Sequence, residues 1–142
     1  MQQVRHLLEG KGKAVFAVAP EASVYDAVRQ MAEKNVGALV VMQGDTLVGI
    51  VSERDYARKV ILKDRSSRDT PVAEIMTASV ITVSVDATVD ECMRLCTDGR
   101  LRHLPVIDGE AMVGIVSIGD LVKAVISEQK ETINQLESYI TG

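Results

Sequence analysis

Apolar positions along this chain form short runs and helical stripes, and the same order of patterns occurs twice. Residues 14–18 and 80–83 are short apolar runs with β character, which predict strands. Apolar residues at spacings of three and four follow each run and predict one buried helix face. The two stripes are Val24, Ala27, Val28 and Met31, and then Val89, Cys92, Met93 and Cys96. Ser23 and Thr88 stand in the N-cap positions, with Asp26 and Glu91 three residues further on.

Two further strands are predicted after each of these helices. Residues 38–42 and 47–52 flank Gln43-Gly44-Asp45, and residues 104–107 and 112–117 flank Asp108-Gly109-Glu110. Connections of this length that contain glycine are typical of β-hairpins. A second helix is predicted to begin at Ser52 and again at Ser117, so each half of the chain has the order β-α-β-β-α.

Self-comparison shows that the chain is a duplication. The segment Val48-Gly49-Ile50-Val51-Ser52 recurs as Val113-Gly114-Ile115-Val116-Ser117, at an offset of 114 − 49 = 65. The same offset aligns further identical residues without a gap, from Ala22 with Ala87 to Ile61 with Ile126. Two copies are too few for a solenoid, so we expect an α/β (α+β) fold of two repeats related by a pseudo-twofold axis.

The repeat sets the expected domain boundaries. We place the first repeat at residues 8–62, a polar linker at 63–73, the second repeat at 74–126 and a C-terminal helical extension at 127–142. Residues 4–8 predict one or two helical turns. The final helix carries Ile133, Leu136 and Ile140 on one face. That face either packs on a second copy, giving the homodimer that we expect, or folds back against Val4, Leu7 and Leu8.

Composition excludes several classes of protein. The 142 residues are 46% hydrophobic, which is typical of a globular domain, and carry a net charge of −4 with only 3% aromatic residues. This balance argues against a nucleic-acid binder, which needs basic surface and stacking platforms. No apolar run approaches the roughly 20 residues of a membrane span, and the N-terminus lacks a secretion signal, so we expect a cytoplasmic protein without a membrane partner.

Metal binding and catalysis find little support in the sequence. Cys92 and Cys96 are four residues apart and could chelate a metal from one helix face, but they align with the apolar Ala27 and Met31. We therefore interpret them as core residues and expect no metal requirement. The chain has no Walker loop, no G-x-G-x-x-G and no H-E-x-x-H motif, so we expect no enzyme activity.

The duplicated unit, closed in each copy by Gly-Ile-Val-Ser-x-x-Asp, resembles the cystathionine-β-synthase (CBS) domain pair, or Bateman module, of the stand-alone bacterial type. The resemblance spans about residues 8–126 and also rests on Arg102-His103-Leu104-Pro105-Val106 and on Glu53-Arg54-Asp55. It implies two repeats packed through their sheets, with a cleft for each repeat and a tendency to form disc-shaped dimers. Such pairs bind AMP, ADP, ATP, S-adenosylmethionine or NAD(H) and usually regulate an effector.

The two S-x-x-D motifs are the strongest candidates for a binding site. Ser52 with Asp55, and Ser117 with Asp120, have the spacing of a helix N-cap and its N3 partner, which would by itself explain the pattern. A helix N-terminus also suits phosphate, because its N–H groups and partial positive charge face outward. The resemblance implies that the Asp binds the ribose hydroxyls and the Ser binds phosphate.

Other candidate ligand residues flank these motifs. Arg54 could bind phosphate or be a surface charge, whereas Gly119 at the matching place has no charge, so we expect unequal clefts. The resemblance places the adenine beside the segments before each hairpin. The isoleucines of the two Gly-Ile-Val-Ser segments are further candidates for contact with the ligand. Phe16 and Ile81, on the first strands, are adenine walls or core residues, and we favour core for Ile81. These candidates are Val36, Gly37, Ala38, Leu101, Arg102, His103, Ile50 and Ile115.

The function expected from these observations is a nucleotide-binding regulatory module for signal transduction that lacks catalysis. Its ligand would be AMP, ADP, ATP or NAD(H), held in clefts between the repeats, with the Asp120 cleft taking its first-strand wall from the first copy. A separate effector protein, which the sequence does not identify, would read the signal. The alternative is a dimerisation or scaffold module that binds no ligand; a third possibility, an enzyme that uses a nucleotide as substrate, has no catalytic motif behind it.

Overall fold

A computed structural model describes residues 2–11 and 15–141 of the chain. These residues fall into two compact units. The first unit contains residues 15–81, and the second contains residues 82–141 together with the N-terminal residues 2–11. The observed mixture of helices with two three-stranded sheets agrees with the predicted α/β class.

The first unit is a three-stranded sheet with two helices. Its elements are β1 (Ala17–Val18), α2 (Val24–Lys34), β2 (Ala38–Gln43), β3 (Thr46–Ser52) and α3 (Glu53–Lys59). Helix α1 belongs to the second unit. Strand β1 runs parallel to β2, and β2 pairs antiparallel with β3, with Ala38 opposite Ser52 and Val40 opposite Ile50. The two-residue turn between β2 and β3 places Gly44 at φ 61°, where glycine is strongly favoured.

The second unit repeats this arrangement with a longer last helix and adds one N-terminal helix. Its elements are α1 (Val4–Lys11), β4 (Val83–Ser84), α4 (Val89–Gly99), β5 (His103–Asp108), β6 (Ala111–Ser117) and α5 (Ile118–Thr141). The sheet order is β4-β5-β6, with β4 parallel to β5 and the hairpin antiparallel. Gly109 at φ 64° takes the same place in the turn as Gly44.

The helical stripes and caps predicted from the sequence are confirmed. Met31 of α2 and Cys96 of α4 are buried in the cores of their units. The Ser23 hydroxyl accepts a hydrogen bond from the N–H of Asp26 at 3.1 Å. Thr88 and Glu91 form a complete capping box, in which each side chain bonds the other residue's backbone N–H.

The first strand of each repeat is shorter than predicted. Strands β1 and β4 have two residues each, where the apolar runs indicated strands over residues 14–18 and 80–83; residue 14 lies outside the described residues. Phe16 and Ile81 precede these strands and do not belong to them. The assignment of Ile81 to the core is also wrong, because its side chain is 44% exposed. An apolar run marks local hydrophobicity, whereas strand length depends on how many residues find a partner in the neighbouring strand.

Each unit includes the short segment that precedes the other repeat in the sequence. Val4 donates its N–H to the carbonyl of Ala87 at 2.9 Å, and Val72 donates to the carbonyl of Ala22, the residue matching Ala87, at 2.8 Å. Both valines are fully buried. Residue 8, which we expected to start the first repeat, is a leucine in the core of the second unit, beside Gly114.

Helix α5 continues well past the second sheet. Leu121 and Ala124 are buried, whereas every described side chain from residue 127 to 141 is exposed. The prediction of one long final helix is therefore confirmed. Within the described ranges 2–11 and 15–141, no helix combines the length and the hydropathy of a membrane span.

Candidate functional site

The start of α3 is closed by a capping box between Ser52 and Asp55. The hydroxyl of Ser52 accepts from the N–H of Asp55 at 3.2 Å, and Asp55 Oδ2 accepts from the N–H of Ser52 at 3.0 Å. The Ser52 hydroxyl also donates to this Oδ2 at 3.1 Å. Strand β3 delivers Ser52 to this point, and the change from extended backbone to helix then turns both side chains toward each other.

A neighbouring cation engages the other oxygen of Asp55. Lys59, one turn along α3, places its Nζ 3.2 Å from Asp55 Oδ1 and donates to the carbonyl of Ile75 at 2.8 Å. The Asp55 side chain is only 16% exposed. Both carboxylate oxygens therefore have partners within the first unit.

The start of α5 has the same geometry in the second unit. The N–H of Ser117 donates to Asp120 Oδ2 at 2.8 Å, and the N–H of Asp120 donates to the Ser117 hydroxyl at 3.1 Å. Position 124, which matches Lys59 at the offset of 65 (59 + 65 = 124), is an alanine. The two sites thus share the cap and differ in the residue at the position of Lys59.

The segments before the hairpins are tied to these helix starts by backbone hydrogen bonds. The N–H of Glu53 donates to the carbonyl of Gly37 at 3.0 Å, and the N–H of Ile118 donates to the carbonyl of Arg102 at 2.9 Å. Ala38 and His103 lie opposite the two capping serines in the sheets. The structure therefore brings the predicted pre-hairpin residues next to the S-x-x-D motif of their own repeat.

These bonds limit what each helix start can offer to an anion. Glu53 donates its N–H to Gly37, and Asp55 donates its N–H to the Ser52 hydroxyl. Among the first three N–H groups of α3, only that of Arg54 has no acceptor within the described part of the chain. Gly119 holds the same position in α5. An incoming phosphate would meet one backbone donor at each site, not three.

The remaining candidate residues have varied surroundings. Arg54 and Arg102 are exposed, whereas Val36 and Leu101 pack against the cores of their units. Ile50 and Ile115 are half-buried on β3 and β6. Phe16 packs partly on the first core, with Lys34 Nζ 5.4 Å from its ring centroid.

An open pocket of about 370 Å³ with mixed polar and apolar lining lies beside Asp120 within the second unit. Helices α1 and α5 form its walls, which include His6, Lys123 and Ser127. Gln2 also lines it, and the Gln2 side-chain oxygen is buried without a hydrogen-bond partner among the described residues. The sequence analysis considered residues 4–8 only as a partner for the distal end of the final helix, so it missed that α1 lies beside Asp120.

Cys92 and Cys96 are buried free thiols of the second core, as the repeat alignment predicted. Burial, together with the nearby Cys96 and Glu91, raises the pKa of Cys92 to about 11. Burial also raises the pKa of Cys96. Over residues 2–11 and 15–141, no three His, Cys, Asp or Glu side chains are grouped as metal ligands would be.

Comparison with known proteins shows one family throughout the chain. Residues 12–62 and 72–127 each match the family model of the CBS domain. A CBS-domain protein of Burkholderia ambifaria, described provisionally as a signal-transduction protein, is 51% identical, with a TM-score of 0.87 over 90% of this chain and 96% of that chain. The mitochondrial CBS domain-containing protein CBSX3 of Arabidopsis thaliana is 43% identical over 98% of this chain and 72% of its own length.

A more distant structure carries ligands. The CBS domain pair of protein MJ0100, solved in complex with 5′-methylthioadenosine and S-adenosyl-L-methionine, is 25% identical. Its TM-score is 0.80 over 90% of this chain and 98% of that chain.

Proposed function

Because the chain belongs to the CBS-domain family, with one domain matched at residues 12–62 and a second at 72–127, we propose that it is a non-catalytic regulatory module that binds an adenosine-bearing nucleotide. The observation that carries the proposal is the paired Ser and Asp at the start of one helix in each unit, at Ser52 with Asp55 and at Ser117 with Asp120.

The chemistry of each helix start suits a nucleoside phosphate. A carboxylate accepts two hydrogen bonds from the vicinal hydroxyls of a ribose, an arrangement that a deoxyribose cannot complete. The N–H at position 54 or 119 donates to a phosphate oxygen. The Ser hydroxyl also donates to phosphate, and in the first site its proton turns away from Asp55 to do so. The ligands of the MJ0100 domain pair both contain adenosine, which supports the same ligand class for this chain.

The two repeats should differ in what they prefer. Arg54 adds a guanidinium to the first site, where Gly119 leaves the second site without a charge. The first site should therefore depend more on phosphate. AMP, ADP, ATP and NAD(H) all remain within the proposed ligand class, with S-adenosylmethionine as the cationic member.

A thermal shift screen tests this function. Each of AMP, ADP, ATP, NAD(H) and S-adenosylmethionine is added in large excess to the full chain and to the variants Asp120→Ala and Asp98→Ala. A ligand present at 100 times its Kd stabilises the folded chain by about 2.7 kcal/mol. We expect stabilisation by at least one ligand, less in Asp120→Ala and unchanged in Asp98→Ala, whose carboxylate lies on the exposed part of α4. No stabilisation by any ligand would contradict the proposal.

One observation favours a second candidate, a module that binds no nucleotide at its first repeat. Lys59 and Ser52 engage both oxygens of Asp55, so the first site can be satisfied without a ribose. In this case the first repeat would act as a scaffold. A single binding event per chain in calorimetry, lost in Asp120→Ala and kept in Asp55→Ala, would support this candidate.

The proposed partners follow from the same assignment. A regulatory module without catalysis needs an effector, which we propose to be a separate protein, and we propose a homodimer as its assembly. A cytoplasmic location stays a prediction, and the Arabidopsis relative is named as mitochondrial.

A further inference from the structure

The distal part of α5 carries an exposed apolar seam. Its five aliphatic side chains have between 40% and 81% of their surface exposed: Val122, Ile126, Ile133, Leu136 and Ile140. The core of the second unit does not cover this seam, because every described side chain from residue 127 onward is exposed. Leu121 and Ala124 reach the core and lie about 100° and about 160° round the helix from the middle of the seam.

The seam follows a heptad repeat. With Gln129 included, its members stand at residues 122, 126, 129, 133, 136 and 140, so the spacings alternate between four and three. This alternation is the a/d pattern of a coiled coil. Isoleucine occupies all three a positions, at Ile126, Ile133 and Ile140, and the d positions are valine, glutamine and leucine.

We propose that this seam pairs with the same seam of a second copy, as a parallel two-stranded coiled coil. A heptad face packs best on a second face in which the apolar residues have the same spacing. A second copy of this chain has that spacing. Isoleucine at all three a positions, with Leu136 at one d position, favours two parallel strands. The paired region, residues 122–140, would be about 28 Å long at 1.5 Å per residue.

The charges beside the seam are compatible with this pairing. In a parallel pair, the e positions of one helix face the g positions of the other. The e positions include Lys130 and Glu137, whereas the g positions are Val125, Thr132 and Tyr139, which are uncharged. No like charges oppose each other. Gln129 is a polar residue at the central d position and would lower the affinity of the pair.

Sedimentation equilibrium of the full-length chain tests the seam. We expect a dimer, at twice the monomer mass of 15.4 kDa. Ile133→Glu with Leu136→Glu should weaken dimerisation by about 100-fold or more, because four charges would enter an apolar contact. The control, Asn134→Glu with Ser138→Glu, adds the same charge to the b and f positions and should change the dimer Kd by less than about threefold. Both pairs are exposed, so far-UV circular dichroism should show folded protein in each case.

Two further variants separate a coiled coil from other contacts. Gln129→Leu should tighten the dimer by about tenfold, since it replaces a polar d residue with the preferred one. A Gly-Gly-Cys tail added to the C-terminus should form an intermolecular disulfide under mild oxidation if the strands are parallel. The native Cys92 and Cys96 will not compete, because both are buried.

The proposal fails on any of four results. These are a monomer at 100 µM, a dimer that the seam variant leaves intact, equal loss of the dimer in the control, and a tail that does not cross-link. Nucleotide binding is measured separately in the thermal shift screen, so failure of the seam would not be confused with failure of the proposed function.

Discussion

Lys59 forms an ion pair with Asp55, the residue proposed to bind the ribose in the first repeat, with 3.2 Å between Nζ and Oδ1. The ammonium also donates to the carbonyl of Ile75, which fixes its position. At the matching place the second repeat has Ala124. A ribose that binds to Asp55 must share Oδ1 with the lysine or displace it.

Removal of this ammonium should therefore raise the affinity of the first site for AMP. Lys59 is partly exposed, and such ion pairs contribute about 0.2–1 kcal/mol, so we expect Lys59→Met to tighten binding by up to about fivefold. Calorimetry in an Asp120→Ala background isolates the first site. Lys63→Met, at an exposed position, is the control. Unchanged or weaker binding in Lys59→Met would show that the lysine does not compete with the ribose.

The packing of α1 on β6 predicts a loss of stability when Gly114 is enlarged. A Cβ at Gly114 would lie 2.6 Å from Leu8 Cδ2, and Leu8 is buried. We expect Gly114→Val to lower the free energy of unfolding by about 1–3 kcal/mol, as overpacked cores do. Urea denaturation measures this. Gly10→Ala, where a Cβ meets nothing within 4 Å, is the matched control and should not destabilise. A Gly114→Val chain as stable as the wild type would contradict this contact.

The raised pKa of Cys92 predicts a loss of stability at alkaline pH. Burial, with Cys96 and Glu91 nearby, raises the pKa of this thiol from 9.0 to about 11. The folded state therefore holds the proton more tightly than the unfolded state. This contribution is complete below pH 9 and is lost as the pH rises through 11. Urea midpoints between pH 8 and 10.5 should fall less for Cys92→Ala than for the wild type. Parallel curves for the two proteins would refute the shift.

Much of the fold could be predicted from the sequence, because each local signal had a single physical cause. Ser23 and Thr88 cap helices as their spacing indicated, and Gly44 and Gly109 occupy the hairpin turns at positive φ. The apolar run at residues 80–83 predicted a strand that is longer than β4. Of these four residues only Val83 is buried, and Val83 is also the only one that belongs to β4. Periodicity measures hydrophobicity and does not measure strand pairing.

The exchange of leading segments escaped the sequence analysis for a different reason. Val4 and Val72 play the same role, but they stand 72 − 4 = 68 residues apart, three more than the offset of 65 that aligns the repeats. An ungapped comparison cannot detect that match. For the same reason the residues of α1 beside Asp120, such as His6, were not recognised as neighbours of the candidate site. Lys59 was not predicted because it stands four residues after Asp55, outside the S-x-x-D motif.

The most direct test of the central claim, ribose recognition by Asp55 and Asp120, is a calorimetric comparison of AMP with 2′,3′-dideoxy-AMP on the unaltered chain. This comparison leaves the helix caps intact, which a substitution of either Asp would not. Hydrogen bonds to a charged group contribute about 1.5–3 kcal/mol, so the dideoxy nucleotide should bind about tenfold to hundredfold more weakly. Equal affinities for the two nucleotides would contradict the assignment of these carboxylates to the ribose.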